Sequence, residues 1–299
     1  MKNLTLKQMR YFEALALHGH FGRAADYSAI TQPALSMQIK EMEEALGTPL
    51  FERGPRSVRL TGFGEVVAER VREILRAVDE LGDLARAAQG NLTGRLRIGV
   101  IPTVAPYLLP RLIGELTRQS PGLDIQLRES VTPKLMQELA EGRLDTAIVA
   151  LPISDPAFHE ERLFTENFVL VRPEEEAGNP VPSPSTLSEM RLLLLEEGHC
   201  FRDQALSFCD LPSTRPRELM EGSSLATLVQ MVGAGIGVTL IPEMAVHVET
   251  RSAPVAVSRF RDPQPQRTIG MIWRRSSPLA RQLGQISEVV RASAPQLIG

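Results

Sequence analysis

The chain of 299 residues has little cysteine, with two, and few aromatics, with one Trp, three Tyr and ten Phe. Two cysteines cannot form a disulfide scaffold, and the absence of a C-x-x-C pair weakens the analogy to thioredoxin-like redox enzymes. Long apolar runs are also missing. The longest charge-free stretch, Gly222 to Pro242, carries Ser223, Ser224, Thr227, Gln230 and Thr239. It therefore reads as a buried helix over Leu225 to Val232, a glycine turn, and a buried strand over Val238 to Ile241, not a membrane span. Met1 to Arg10 holds Lys2, Lys7 and Arg10 but no signal-peptide core, so a cytoplasmic protein without membrane contact is expected. There is no internal repeat or low-complexity tract.

What is present is ordinary globular material, 43% hydrophobic and 23% charged, in a length that suggests at least two domains. Charge is uneven. Residues 1 to 63 hold eight Lys and Arg against six Asp and Glu, whereas the whole chain is at −3. A mildly basic start on an acidic body hints at nucleic acid, and Arg53, Arg56 and Arg59, with no acid among residues 53 to 59, sharpen the hint.

Three periodic signatures divide the chain. Short helices crowd the first 46 residues: Leu6, Met9 and Phe12 share one face, Phe21, Ala24 and Ala25 another, and Leu35, Ile39, Met42 and Leu46 a third. Thr31 suits an N-cap, Pro33 fits the first turn where its missing N–H costs nothing, and Gly47 ends the helix. This is a helix-turn-helix pattern with residues 31 to 46 as recognition helix. Phe51 to Leu60 suits a β-wing turning at Gly54-Pro55. From Glu65 to Gln89, Val67, Val71, Ile74, Val78, Leu81 and Ala85 recur at alternating spacings of 4 and 3, the seam of a coiled coil. That seam implies a homodimer; the alternative is one amphipathic helix packed on its own domain. Gly90 to Gly94 reads as a linker. Beyond it strand and helix patterns alternate: Leu96 to Ile101, helix 107 to 119, strand 124 to 129, helix 133 to 141, strand 146 to 151, then further units to Ile272 and a last helix from Leu279. Such alternation gives α/β sheets with helical crossovers. The expected domains are therefore 1–63, 64–90 and 91–299.

On the recognition helix, Gln32 and Ser36 lie one turn apart behind Pro33, with Gln38 and Lys40 beyond. Gln can bond adenine in bidentate fashion and Ser either kind of base edge, while Arg53 and Arg56 in the wing would reach phosphates. A solvated polar helix face is the competing reading of any one of these residues.

Residues 4 to 64 resemble the LysR-type transcriptional regulators. The resemblance rests on Phe12, Phe21-Gly22-Arg23-Ala24-Ala25, Thr31 to Ser36, Gln38-Ile39, Glu43, Leu46-Gly47, Leu50 to Arg53 and Leu60 to Gly64. It implies a winged helix-turn-helix bound to double-stranded DNA, a dimerising linker helix and a periplasmic-binding-protein-like effector domain. That domain would have two α/β subdomains, about 95–165 with 269–299, and about 166–268. Homotetramers and contact with RNA polymerase follow from the same resemblance.

Two cysteines are commonly unrelated buried hydrophobes. Here Cys200 follows the apolar run Leu192 to Leu195 and Gly198-His199, and opens a strand-turn-helix pattern. A thiol at a helix N-terminus beside His199 and Arg202 has a setting that favours thiolate, whereas Asp210 next to Cys209 disfavours it. Gly198 to Ala205 with Phe208-Cys209, Ile101 to Pro110, and Arg267 to Gly270 resemble the redox segment of the peroxide-sensing members of the family. The resemblance implies that hydrogen peroxide is the signal, Cys200 the peroxidatic thiol and Cys209 the resolving one. Thr103 and Thr132 would orient peroxide or its water, and His199, Arg202, Asp203, Gln204 and Arg267 would surround the thiolate. Structural readings stand beside these: Thr103 and Thr132 as helix caps, Arg202 and Asp203 as partners of one another, Arg267 as a strand-edge ion-pair partner. No cofactor, metal or turnover chemistry is expected. The rivals are a LysR-type regulator with a small organic ligand between its subdomains, a soluble binding protein, and a thiol peroxidase. If residues 202 to 209 are helical, the two thiols stand roughly 13 Å apart on opposite faces, and a bond between them requires unwinding.

Overall fold

Thr5 opens the first helix, α1 (Leu6–His18), with a reciprocal cap in which Gln8 N donates to Thr5 Oγ1 and Thr5 N donates to Gln8 Oε1. The computed structural model describes residues 4–54, 58–88, 93–209 and 220–293, and divides into two units, Met1–Ala85 and Arg86–Gly299. In the first unit α2 (Phe21–Tyr27) and α3 (Gln32–Leu46) follow α1, and β1 (Phe51–Arg53) pairs antiparallel with β2 (Val58–Leu60) as the expected wing. Phe12, Leu15, Leu35, Ile39 and Met42 are fully buried in its core. Then comes α4 (Gly62–Ala88). Its start is pinned by Thr61, which donates to Pro49 O and accepts from Gly64 N. A Cβ at Gly64 would stand 2.1 Å from Leu50 O, so only glycine allows this approach.

The second unit runs β3 (Gly94–Val100), α5 (Ala105–Gln119), β4 (Leu123–Glu129), α6 (Thr132–Ala140), β5 (Thr146–Leu151) and β6 (Phe158–Pro173). It continues with α7 (Pro184–Leu187), β7 (Leu192–Leu195), α8 (Cys200–Phe208), β8 (Glu221–Gly222), α9 (Leu225–Gly233) and β9 (Val238–Pro242). α10 (Val246–Glu249), β10 (Val255–Arg259), β11 (Gln266–Arg274) and α11 (Ala280–Ser293) complete it. The charge-free stretch is thus helix α9 and strand β9, as expected, and among the described residues no helix is long and apolar enough to cross a membrane.

The sheet departs from simple alternation at its centre. β4, β3 and β5 pair in parallel, as do β9, β7 and β8, but β6 and β11 between them run antiparallel. β6 is 16 residues long: Phe158 to Asn167 pair with β11, and its later part lies between β9 and β10. One strand therefore serves both halves of the unit, and it places Glu166 directly opposite Arg267. That long strand was not visible as a unit in the sequence, because its outer half has no strand period, four polar residues from His159 to Arg162 preceding Leu163-Phe164, while its inner half, Phe168 to Val171, is continuously buried.

Candidate functional site

At the first unit, Thr31 Oγ1 accepts from Ala34 N at 3.4 Å and caps α3, with Pro33 in the first turn. Glu43, at the other end, accepts from Leu50 N and Phe51 N and ties the helix to the wing. Gln32 and Pro33 are exposed and Ser36 half-buried, so the structure brings these three to one outward face. Lys40 is exposed and pairs along the helix with Glu44. Gln38 lies about 200° around the helix from Ser36, and it donates instead to Glu41 at 2.8 Å. Met37, 57% exposed on the outward side, was not singled out from sequence. The Arg53 side chain and Arg56 lie outside the described residues.

The apolar seam of α4 splits in two. Val71 is buried with Ala68 and Leu75 in the core of its own unit, and Val67 packs against that core. Ile74 and Leu81 are exposed, joined by Phe63, Val66 and Leu84 on a separate stripe. The two faces overlap in a spacing of three and four, which is why the sequence read them as one.

In the second unit, β7 delivers Gly198 at φ +94°, a left-handed turn that favours glycine, directly against Val131. His199 is the N-cap of α8 without a side-chain bond to it, and Cys200 is the first helical residue. Burial holds the His199 imidazole below its ordinary value near 6.5, against the opposing pull of Glu196, so it is neutral at pH 7. Arg202 is buried; it donates to Leu195 O and pairs with Glu221 at 2.7 Å, while Asp203 is exposed in the first turn. The Arg202–Asp203 pairing is thereby corrected: a side chain turned inward from a helix reaches the strand ends beneath it. Neither basic neighbour offers Cys200 a free cation, and the amide end of α8 is the remaining electropositive element. Cys200 is half-buried and Cys209 fully buried at the opposite end of α8; no disulfide joins them. Asp210 lies outside the described residues.

Thr103 and Thr132 do not cap. The N-caps of α5 and α6 are Val104 and Val131, neither with a side-chain bond. Thr103 Oγ1 instead accepts from Arg267 Nη1 at 2.8 Å, and its carbonyl accepts from Nη2 at 3.0 Å. Thr132 Oγ1 is buried without a hydrogen-bond partner among the described residues, and so is Gln204 Oε1, one turn beyond Cys200 on α8. Arg267 is fully buried at the centre of the sheet, not at a strand edge, because β11 is paired on both sides. Its partner Glu166 is equally buried, and Phe201 covers the guanidinium at 5.2 Å. Glu166 escaped sequence reasoning, since 101 residues separate it from Arg267.

Thr103 and His199 share a cavity of about 420 Å³ with Tyr107, Ser130, Ser224 and Glu249. The N-terminal ends of α5, α6, α8 and α9 all line it, the crevice in which open α/β folds hold ligands. Tyr107 donates to Glu249 across it at 2.6 Å, and burial, with that carboxylate, raises the phenol far above its usual range.

Comparison with known proteins agrees with this layout. Residues 6–65 match the family of bacterial regulatory helix-turn-helix proteins of the lysR family, and residues 89–295 match the LysR substrate binding domain. A probable hydrogen peroxide-inducible genes activator from Streptomyces viridosporus is 42% identical over 98% of this chain and 95% of its own. A cysteine-to-aspartate variant of full-length OxyR from Pseudomonas aeruginosa superposes with a TM-score of 0.76 at 34% identity, covering 97% of this chain and 96% of that one. A hydrogen-peroxide-bound cysteine-to-serine variant of Corynebacterium glutamicum OxyR gives 0.68 at 34% identity, covering 99% and 94%. With a helix-turn-helix unit, a LysR substrate-binding unit and full-length similarity to OxyR proteins, this chain belongs to the LysR family of DNA-binding transcriptional regulators, which are not enzymes.

Proposed function

We propose that this regulator senses hydrogen peroxide at Cys200, resolves it through Cys209, and passes the change to DNA. The observation that carries the reading is two buried side-chain oxygens without hydrogen-bond partners among the described residues, Gln204 Oε1 on α8 and Thr132 Oγ1 at the start of α6. Gln204 is four residues from Cys200, on the same helix face. Thr132 follows Val131, which touches the Gly198 turn. Such atoms call for a small polar guest, and peroxide both donates and accepts. The Cys200 thiolate attacks one peroxide oxygen; the S–O bond forms as the O–O bond breaks, leaving a sulfenic acid and hydroxide. Cys209 then displaces that oxygen as water to close the disulfide. Because the thiols cap opposite ends of α8, closure requires the helix to unwind and expel Phe201 and Phe208, a two-state change biased by a covalent bond.

At the DNA end, α3 enters the major groove with Gln32 and Ser36 reading base edges, and the wing arginines contact phosphates. The exposed stripe of α4 pairs two chains, effector contacts build the tetramer, and RNA polymerase is a further partner. Mapping sulfenic acid by mass spectrometry tests the sensor: Cys209→Ser should accumulate it on Cys200 at nearly the parent rate, and Cys200→Ser should be inert to low peroxide. Modification mainly at Cys209 would refute the assignment. The cavity of about 420 Å³ supports a second reading, a small organic effector between the subdomains. A ligand that raises the melting temperature while both thiols stay reduced would favour it.

A further inference from the structure

We propose that Glu166 is a positioning residue for the peroxide reaction, acting through Arg267 to fix the direction in which Thr103 donates its hydroxyl proton. The inference rests on the peroxide-sensing reading above. Glu166 and Arg267 face each other across β6 and β11, both side chains fully buried. Glu166 Oε1 accepts from Arg267 Nε at 2.9 Å and pairs with Nη2 at 2.8 Å, while Oε2 accepts from Met244 N at 3.1 Å. The carboxylate is thus held at both oxygens, and Arg267 is held in one orientation by it. From there Nη1 and Nη2 grip Thr103 at Oγ1 and at its carbonyl.

A threonine hydroxyl that accepts from a guanidinium cannot send its own proton there. Thr103 Oγ1 therefore points its O–H elsewhere, and no acceptor for it is found among the described residues. Thr103 lines the cavity that also meets His199, the residue before Cys200. When the thiolate attacks one peroxide oxygen, the other leaves as hydroxide, which a donated hydrogen bond stabilises until solvent protonates it. The chain Glu166, Arg267, Thr103 makes the threonine that donor and not an acceptor. Phe201, next to Cys200, lies over Arg267 and is braced edge-on by Phe168 at 4.8 Å, so the same pair also supports the first turn of α8.

The test uses the full chain in a Cys209→Ser background. Two rates are compared at Cys200: oxidation by hydrogen peroxide, and alkylation by iodoacetamide, a neutral reagent that reports thiolate and access but needs no positioned donor. Glu166→Gln keeps the size but cannot accept from both Arg267 and Met244 N. It should slow peroxide by about ten-fold and iodoacetamide by less than about two-fold; Thr103→Val should slow peroxide on the order of 100-fold, the scale of one lost positioned donor. Thr103→Ser should restore it. Because Glu166 acts through Thr103, the double variant should be no slower than Thr103→Val alone. If Glu166→Gln fails to fold, Arg267→Lys replaces it, since lysine keeps the charge but cannot span Glu166 and both Thr103 oxygens. An unchanged peroxide rate in the folded variant, equal slowing of both reagents, or multiplying effects in the double variant would overturn the proposal. A parent protein whose Cys200 ignores peroxide would instead overturn the sensing reading itself.

Discussion

The two helices at the centre of the proposed function, α3 and α8, start in opposite ways. α3 has a threonine cap, a proline in its first turn and a left-handed glycine at its end, all within one stretch of sequence. α8 has an N-cap residue that makes no side-chain bond and a buried arginine in its first turn, where a positive charge opposes the helix dipole. It is held by tertiary contacts: Arg202 to Glu221 and Leu195 O, Phe201 to Phe168, Phe208 to Phe260. A helix secured by its own residues keeps its shape while a surface is read. One secured by neighbours can be given up when a covalent bond offers something better, and both cysteines sit at its ends.

The largest expected effect probes the core around α3. Phe12 is fully buried there and meets Phe51 at a tilted angle, ring centroids 5.2 Å apart. Phe12→Ala should cost about 3–5 kcal/mol of stability, lowering the urea midpoint of Met1–Ala85 while the iodoacetamide rate at Cys200 holds. Equal loss in both would break the contrast between a self-contained reader and a separate sensor.

Next comes the tie at α8. Arg202→Ala removes two hydrogen-bonding partners, and Glu221, being partly exposed, keeps its solvation. The local cost should be about 1–3 kcal/mol. Amide exchange across residues 201 to 209 should accelerate, and the Cys200–Cys209 bond should form faster, because unwinding has become easier. Slower bond formation would mean that α8 must stay intact to react. Thr31→Ala is the matched change at α3, costing about 1 kcal/mol; it should fray the turn that carries Gln32 and weaken DNA binding, read by anisotropy.

The same contrast separates what was legible in the sequence from what was not. Thr31, Pro33 and Gly47 act on backbone within a few residues, so the bounds of α3 follow from the chain itself. The seam of α4 was legible as a period but not as two faces, because Val71 and Ile74 differ only in which neighbour each meets. Thr132 before Pro133 looks like a cap, yet the N-cap falls one residue earlier at Val131, so Thr132 is the first helical residue and its oxygen has no partner among the described residues. Glu166 was invisible, since its meaning comes from strand register with a residue 101 positions away. Local punctuation is written in local sequence; charge placement in a sheet centre is written in topology.

The smallest expected effect concerns protons, and it too divides the two helix starts. Thr31 carries no side-chain proton that a histidine-like titration could reach, whereas His199 does, and burial holds it below the ordinary imidazole value. Burial lowers the folded pKa of His199 beneath the ordinary value near 6.5 that applies when the chain is unfolded. The unfolded chain therefore binds the proton more readily, and stability falls as pH drops through the window below 6.5, levelling once the folded imidazole is also charged. Above that window the contribution is whole. His199→Gln should remove this slope: between pH 7.5 and pH 5.5 (roughly the span over which an ordinary histidine titrates) the urea midpoint of the second unit should fall less in the variant than in the parent, with the two converging in their behaviour above the window. Identical slopes would show that the start of α8 feels no proton, and that its departure from α3 lies in the missing cap and the Arg202 tie alone.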